Sequence, residues 1–442
     1  MSRTTFFLGD LHLTDVETGP GARFYKRPEA LRDSQLVQCL EWMLDAHDDP
    51  RLVLTGDIFD LDLVVLDDAP REPGASAAAK LCRIFSDHAE VMRCLARFAE
   101  AGNLHLLMGN HDLELSLPEA RQALTGALDE CIFGAGSGIR LHGWAMYEPG
   151  VFWAEHGHIY DTFACTPDPL DPSLGSGVYF PFGCLVNQNL SNALTSFNPS
   201  NDDQVMQGLA GYVSHWLRYE FRPPWKLPVR YLRSAVRAYV QALQQRRAAH
   251  LPDPDDLARR ASEQIGISAE QARHLLSFRP IPVAYLNAVE PLRTLYLDKA
   301  IALGVLAAGA AAWMAAGDSA TDLWFPPVLA LGLFFTYEWL MGPSRAKGKT
   351  KALPDSAIRA ALKLDVPFAV LGHAHEPECT QSEGRVYLNA GSWAPIYEDV
   401  ECTRRLPYTD TLVRIDHGDG APDAALLAWR DGRAVLYPEN ER

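Results

Sequence analysis

The chain has no C-x-x-C pair. Its eight cysteines (Cys39, Cys82, Cys94, Cys131, Cys165, Cys184, Cys379, Cys402) are scattered over 442 residues, a spacing that excludes a zinc knuckle and argues for reduced thiols over a disulfide frame. Surplus positive charge is missing too: 40 Lys and Arg stand against 56 Asp and Glu, a net charge of −16, so no nucleic-acid partner is expected. Only three residues precede the first apolar run, TTFFLG, which leaves no room for a cleaved signal peptide, and an intracellular chain is the expectation. The length suits one large core with an inserted unit, or two domains.

What is present is a repeated local pattern. Five stretches end an apolar, strand-like run with metal-ligand chemistry: FFLGDLHL (Asp10, His12), LVLTGDIFD (Asp57), LHLLMGNHD (Asn110, His111, Asp112), VFWAEHGH (His156, His158) and FAVLGHAHEP (His373, His375). Each run reads as a buried strand, and the polar residues come where it leaves the sheet. The ligands would converge at the carboxyl ends of the strands, where open α/β sheets place their sites. In Asp10-x-His12 and His373-x-His375, the i, i+2 spacing lets two side chains reach the same side of an extended segment. Carboxylate, imidazole and amide ligands without thiolate suit Mn²⁺, Fe, Zn²⁺ or Mg²⁺. Any one stretch by itself is an ordinary loop or a core histidine; the weight lies in the set.

In order and wording the stretches resemble the calcineurin-like metallophosphoesterases: D-x-H, then G-D, G-N-H-D, a later His followed by Gly, and G-H-x-H. The resemblance covers the first third and last quarter of the chain. It implies an α/β fold, a two-sheet α/β/β/α sandwich, with a large helical insertion between its halves. It further implies two divalent metal ions, Mn first and Fe, Zn or Mg as alternatives. Asp10, His12, Asp57 and His375 would hold one ion, and Asp57, Asn110, His156 and His373 the other, with Asp57 bridging. His111 would donate to the leaving-group or transition-state oxygen, oriented by a carboxylate such as Asp112. His158 is read as lying behind the ligands and holding one of them or the substrate, with direct ligation in place of His156 as the alternative. VYLNAGSWAP, residues 386–395, looks like the strand and turn that follow G-H-x-H. The UDP-2,3-diacylglucosamine pyrophosphohydrolases share the motif order, but they have Arg where this chain has His111, H-G-D where it has His156-Gly157-His158, and a smaller insert. Asp60, Asp62, His105 and His142 are read as solvated or structural.

The expected division is a core in two parts, 1–160 and 356–442, around an insertion at 161–355. Helical spacing of apolar residues predicts helices over Arg27–Ala46 and Ala77–Ala101. Short strands are expected at Arg385–Leu388, Thr411–Ile415, Ala424–Trp429 and Ala434–Tyr437, with a hairpin turn at Arg430–Arg433. Tyr160–Asn189, rich in Pro, Gly and aromatics, is a candidate lid or substrate wall. A basic helix follows, with Leu232, Val236, Tyr239, Val240 and Leu243 on one face, and Asp253–Phe278 reads as two short helices broken near Gly266.

Two very apolar runs come next, Ala300–Ala316 and Leu323–Met341. At ~1.5 Å per residue each approaches the ~30 Å of a hydrocarbon core, and a transmembrane hairpin at 300–341 is predicted. Arg293 and Lys299 before it, four basic residues from Arg345 to Lys351 after it, and an acidic connector place both outer ends in the cytoplasm. The rival is a pair of buried helices. The combined expectation is a dinuclear metal phosphoester hydrolase, multi-pass on the cytoplasmic face of the membrane, acting on a lipid-linked phosphoester or pyrophosphate. Its alternatives are a phosphodiesterase or phosphatase for a soluble substrate, a cytoplasmic protein, and a non-catalytic scaffold of the same fold.

Overall fold

Alternation along the first strand sets up the layers. In Arg3–Leu8, Phe6 and Leu8 face a helical layer while Phe7 faces a second sheet. The computed structural model describes residues 3–193 except 20, 226–316 except 296, five positions between 328 and 336, and 353–438 except 400 and 419. In chain order the strands are β1 (Arg3–Leu8), β2 (Arg51–Leu54), β3 (Leu104–Leu107), β4 (Ile139–His142), β5 (Ala145–Glu148), β6 (Phe152–Glu155), β7 (Ser173–Leu174), β8 (Gly177–Val178), β9 (Phe368–Leu371), β10 (Glu378–Ser382), β11 (Arg385–Asn389), β12 (Thr411–His417), β13 (Asp423–Arg430) and β14 (Arg433–Leu436).

Two large sheets result. The first runs β14-β13-β12-β1-β2-β3-β4 and the second β10-β11-β9-β6-β5. Strands β1 to β4 are mutually parallel, as are β6, β9 and β11. Phe7, Val53, Leu107, Phe152, Val370, Leu388 and Val413 fill the space between the sheets. The early and late parts of the chain interleave, since β12 pairs with β1 and β9 with β6.

Helices α1 (Asp33–Ala46), α2 (Pro73–Asp87), α3 (Ala89–Glu100) and α4 (Pro118–Cys131) cover the outer face of the first sheet, burying Leu40, Leu81, Leu95 and Leu124. The single helix expected over Ala77–Ala101 is thus two, divided at His88, whose ring is held by Asp33 Oδ2 and the Thr14 carbonyl, each at 2.7 Å. Further along come α5 (Phe182–Asn189), α6 (Lys226–Ala248), α7 (Pro254–Ile265), α8 (Ala269–Leu276), α9 (Val283–Leu286), α10 (Val289–Thr294), α11 (Leu297–Ala316) and α12 (Leu353–Leu364). Helices α7, α8 and α12 cover the second sheet, which makes the architecture helix, sheet, sheet, helix. Gly266, at φ 81°, ends α7 near where the break was expected.

A separate small core joins α5, α6, α9 and the start of α11 through Phe182, Leu185, Ala235, Ala238, Ala242, Val283 and Leu297. The buried face of α6 is only partly the expected one: Leu232, Val236 and Val240 are exposed, Tyr239 packs against the small core, and Ala235, Ala238 and Ala242 are buried. Small alanine side chains let α5 approach closely, which larger ones on the other face would prevent.

The predicted membrane hairpin and multi-pass placement are overturned. Among the described residues no helix is long and apolar enough to cross a membrane. The first run falls in α11, which carries Asp298 and Lys299 in its first turn, and its remaining 17 residues include nine Ala and two Gly. Such a stretch covers roughly 26 Å, short of the ~30 Å needed, and Ala and Gly offer little apolar side chain. The second run, 323–341, lies outside the described residues apart from 328–329, 332–333 and 336.

Candidate metal centre

All five stretches leave parallel strands at their carboxyl ends: Asp10 and His12 follow β1, Asp57 follows β2, Asn110 to Asp112 follow β3, His156 and His158 follow β6, and His373 and His375 follow β9. Backbone hydrogen bonds then hold the exits together. Asp10 N donates to Gly56 O and His12 N to Asp57 O in the first sheet, and Gly372 N donates to His156 O in the second, each at 3.0 Å. The Asp10 carboxylate links the two sheets by accepting from His373 N at 3.0 Å.

The backbone here is strained. Asp10, His12, Asp57, His373 and His375 all have left-handed φ, between 48° and 68°. For residues with a Cβ this conformation costs roughly 1–3 kcal/mol each and persists where surrounding structure enforces it, often at functional sites. Gly372 lies between the two halves of the site: a Cβ there would stand 2.5 Å from Asp10 Oδ2 and 3.3 Å from His156 Nδ1.

Two clusters form. In the first, His375 Nε2 lies 3.3 Å from Asp10 Oδ1 and 3.0 Å from His12 Nε2. His12 Nδ1 is 2.7 Å from Asp60 Oδ1; the carboxylate only accepts, so Nδ1 donates, and in the neutral ring Nε2 carries the lone pair. In the second, Asp57, His156 and His373 bring one ligand atom each within 4.8 Å of the others. His156 Nδ1 donates to Thr55 O at 2.9 Å, and its Nε2 lies 3.1 Å from Asp57 Oδ2. Burial disfavours a charged His156 ring, but the Asp57 charge outweighs it and raises its pKa to about 9, so a proton on Nε2 or a metal ion satisfies this contact. Buried Asn110 Oδ1 has no hydrogen-bond partner among the described residues, while its amide nitrogen contacts Cys184 Sγ at 3.8 Å. The Asp and His clusters therefore could hold metal ions, and the orphaned oxygen suits such a role. Asp57 falls in the second cluster.

His111 and Asp112, adjacent in sequence, do different things. Burial disfavours a charged His111 ring, but Asp62, Asp57 and Asp60 together outweigh it and raise its pKa to about 10. Its Nδ1 lies 2.9 Å from Asp62 Oδ1 and 3.3 Å from Asp60 Oδ1, and its backbone N donates to Asp57 Oδ1 at 2.8 Å. The expected orientation by Asp112 does not occur. The fully buried Asp112 carboxylate accepts instead from the amides of Ile58, Phe59 and Gly109, tying the exits of β2 and β3 together. Burial and the nearby Asp57 charge push its pKa up to about 7.

Of the two readings given for Asp60 and Asp62, solvated or structural, the structural one holds: both are buried supports of His12 and His111. The available signal was their place in GDIFDLD, three and five residues beyond Asp57. His158 is buried with its ring 5.3 Å from that of His156 and with Nδ1 unpartnered among the described residues; burial and the neighbouring rings hold its pKa well below the usual histidine value. Asp161, at the start of the expected lid, meets His373. The same segment reaches the site again through α5, where Cys184 Sγ donates to Asn110 O at 3.2 Å.

No family model matches the chain, and no curated protein matches it. Among solved structures it is similar to Vacuolar Protein Sorting 29 from Cryptosporidium parvum, at 20% identity and a TM-score of 0.15, over 19% of this chain and 42% of that one. The chain spans less than half the length of that protein, and a likeness of this extent carries no argument about function.

Proposed function

We propose that the chain is a metal-dependent phosphoester hydrolase of the calcineurin-like type, with its two ions held by the residue sets the motifs imply. The observation that carries this reading is the convergence of two His/Asp clusters on left-handed, mutually hydrogen-bonded strand exits. In this reading 1–160 and 356–442 build the catalytic core around the insertion at 161–355.

Two divalent ions, Mn²⁺ first, would supply Lewis-acid stabilisation of phosphoryl oxygens and an acidified water at neutral pH. The chain's own residues do the rest. His12 and His156 are locked by Asp60 and Thr55 O so that Nε2 faces the centre. His111, with Nδ1 on Asp62, is held as a charged ring, and its Nε2 is the donor to the departing oxygen. Asp112 fixes the loop geometry on which His111 stands. Most of the rate enhancement then comes from positioning and electrostatics. With no membrane-crossing helix among the described residues, nothing favours a lipid-linked substrate, and the substrate class is phosphoester.

The test is hydrolysis of aryl phosphate monoesters, diesters and a pyrophosphate with Mn²⁺ present, using Asp57→Ala as the blank. Turnover of at least one class, absent in the blank, supports the reading; no turnover by protein shown to bind metal refutes it.

A further inference from the structure

His373 Nε2 lies 3.2 Å from Asp161 Oδ2, and both side chains are about nine-tenths buried. The carboxylate only accepts, so Nε2 is the donor and Nδ1 keeps its lone pair. His373 belongs to the same cluster as Asp57 and His156. Its backbone N is anchored on Asp10, which leaves ring rotation as its main freedom, and the bond to Asp161 removes it.

Asp161 is itself held from two sides. Toward the fourth stretch, its N donates to His158 O at 3.1 Å, and its other oxygen accepts from Phe163 N at 2.9 Å. Toward the helical unit, the next residue is clamped: Thr162 Oγ1 donates to Ile281 O at 2.6 Å, and Val283 N donates to Thr162 O at 2.8 Å. The neighbour of the residue that braces His373 is therefore fixed to Ile281 and to the first residue of α9, far along the chain, by paired hydrogen bonds.

We propose that Asp161 is a positioning residue for His373, fixing the tautomer and ring angle with which His373 meets its ion, so that the segment after the fourth stretch belongs to the metal site. This rests on the phosphoesterase reading of that site. Losing a carboxylate behind a ligating histidine typically lowers metal affinity about 10–100-fold.

The experiment is Mn²⁺ binding by chelator competition on the full chain, wild type against Asp161→Asn and Asp161→Glu, with thermal melts in excess chelator. Asparagine keeps an oxygen for Phe163 N but can present its amide to His373. Expected are two sites in the wild type, one of them weakened about 10–100-fold in Asp161→Asn and by less in Asp161→Glu. Unchanged metal-free melts and a kcat recovered at saturating Mn²⁺ complete the expected pattern. Wild-type affinity at both sites in Asp161→Asn overturns the assignment. Should Asp161→Asn fail to fold, Asp161→Glu decides by the same affinity readout. A wild type that binds no divalent ion overturns the phosphoesterase reading as well.

Discussion

Asp62 Oδ1 lies 2.9 Å from Nδ1 of His111, a contact between residues 49 positions apart. It fixes which nitrogen of His111 is free to donate and leaves Nε2 4.0 Å from Asp57 Oδ2, beside the second cluster. His111→Ala should lower kcat about 10²–10⁴-fold at saturating metal, the usual contribution of a positioned acid. Asp62→Asn keeps the ring and weakens its support, and should lose on the order of tenfold. Steady-state kinetics on the best substrate class checks both; wild-type kcat in His111→Ala would remove that ring from the reaction.

Metal should stabilise the folded chain as well as activate it. With free Mn²⁺ at about 100 times Kd, linkage adds ~2.7 kcal/mol per site. The wild type should therefore melt higher with Mn²⁺ than with chelator, and elemental analysis after desalting should find two ions per chain. Asp57→Ala, which deletes a buried carboxylate of the second cluster, should lose most of the shift. Equal shifts in both proteins would mean that the ions bind elsewhere.

The candidate metal-binding clusters were legible because their signal is local: an apolar run, a glycine, then Asp or His. The hairpin at Arg430 to Arg433 was legible for a similar reason, since Asp431 and Gly432 adopt φ of 49° and 74°, as a tight two-residue turn demands. Supports of the ligands were not. Asp60 meets His12 across 48 residues and Asp161 meets His373 across 212, pairings that exist only once the strand exits are brought together. Asp112 shows the converse error. Adjacency to His111 suggested contact, but at a strand exit consecutive side chains diverge, and its carboxylate turns back to the amides of Ile58 and Phe59. The split of the expected long helix at His88 and the alanine face of α6 were set by neighbours that no periodicity reveals.

Gly56 should tolerate no side chain. Its φ is 96°, and a Cβ would stand 2.7 Å from Cγ and Nδ1 of His156. Gly56→Ala would strain the backbone by roughly 1–3 kcal/mol and push the ring off Thr55 O. The expected outcome is a lower melting temperature in chelator together with weaker Mn²⁺ binding. Normal affinity in a merely destabilised variant would show that the His156 position is not critical to the ion.

Acid should weaken the fold at a histidine pair outside the candidate metal clusters. On β3 and β4, His105 Nδ1 and His142 Nε2 lie 3.0 Å apart with rings nearly parallel, a bond that needs one nitrogen as acceptor. Burial, then the His142 charge and those of Arg51, Arg140 and Arg3, lowers the His105 pKa to about 3; burial and Arg140 lower that of His142 to about 4. Both folded values lie below the unfolded value of ~6.5, so the unfolded chain binds more protons in between. The contribution is fully present above about pH 6.5 and is lost as pH falls toward 4, at ~1.4 kcal/mol for each unit of pKa difference. Denaturant melts of metal-free protein from pH 7.5 to 4.5 should show this decline, and His105→Gln should flatten it relative to the wild type. Parallel declines in the two proteins would exclude the pair as its source.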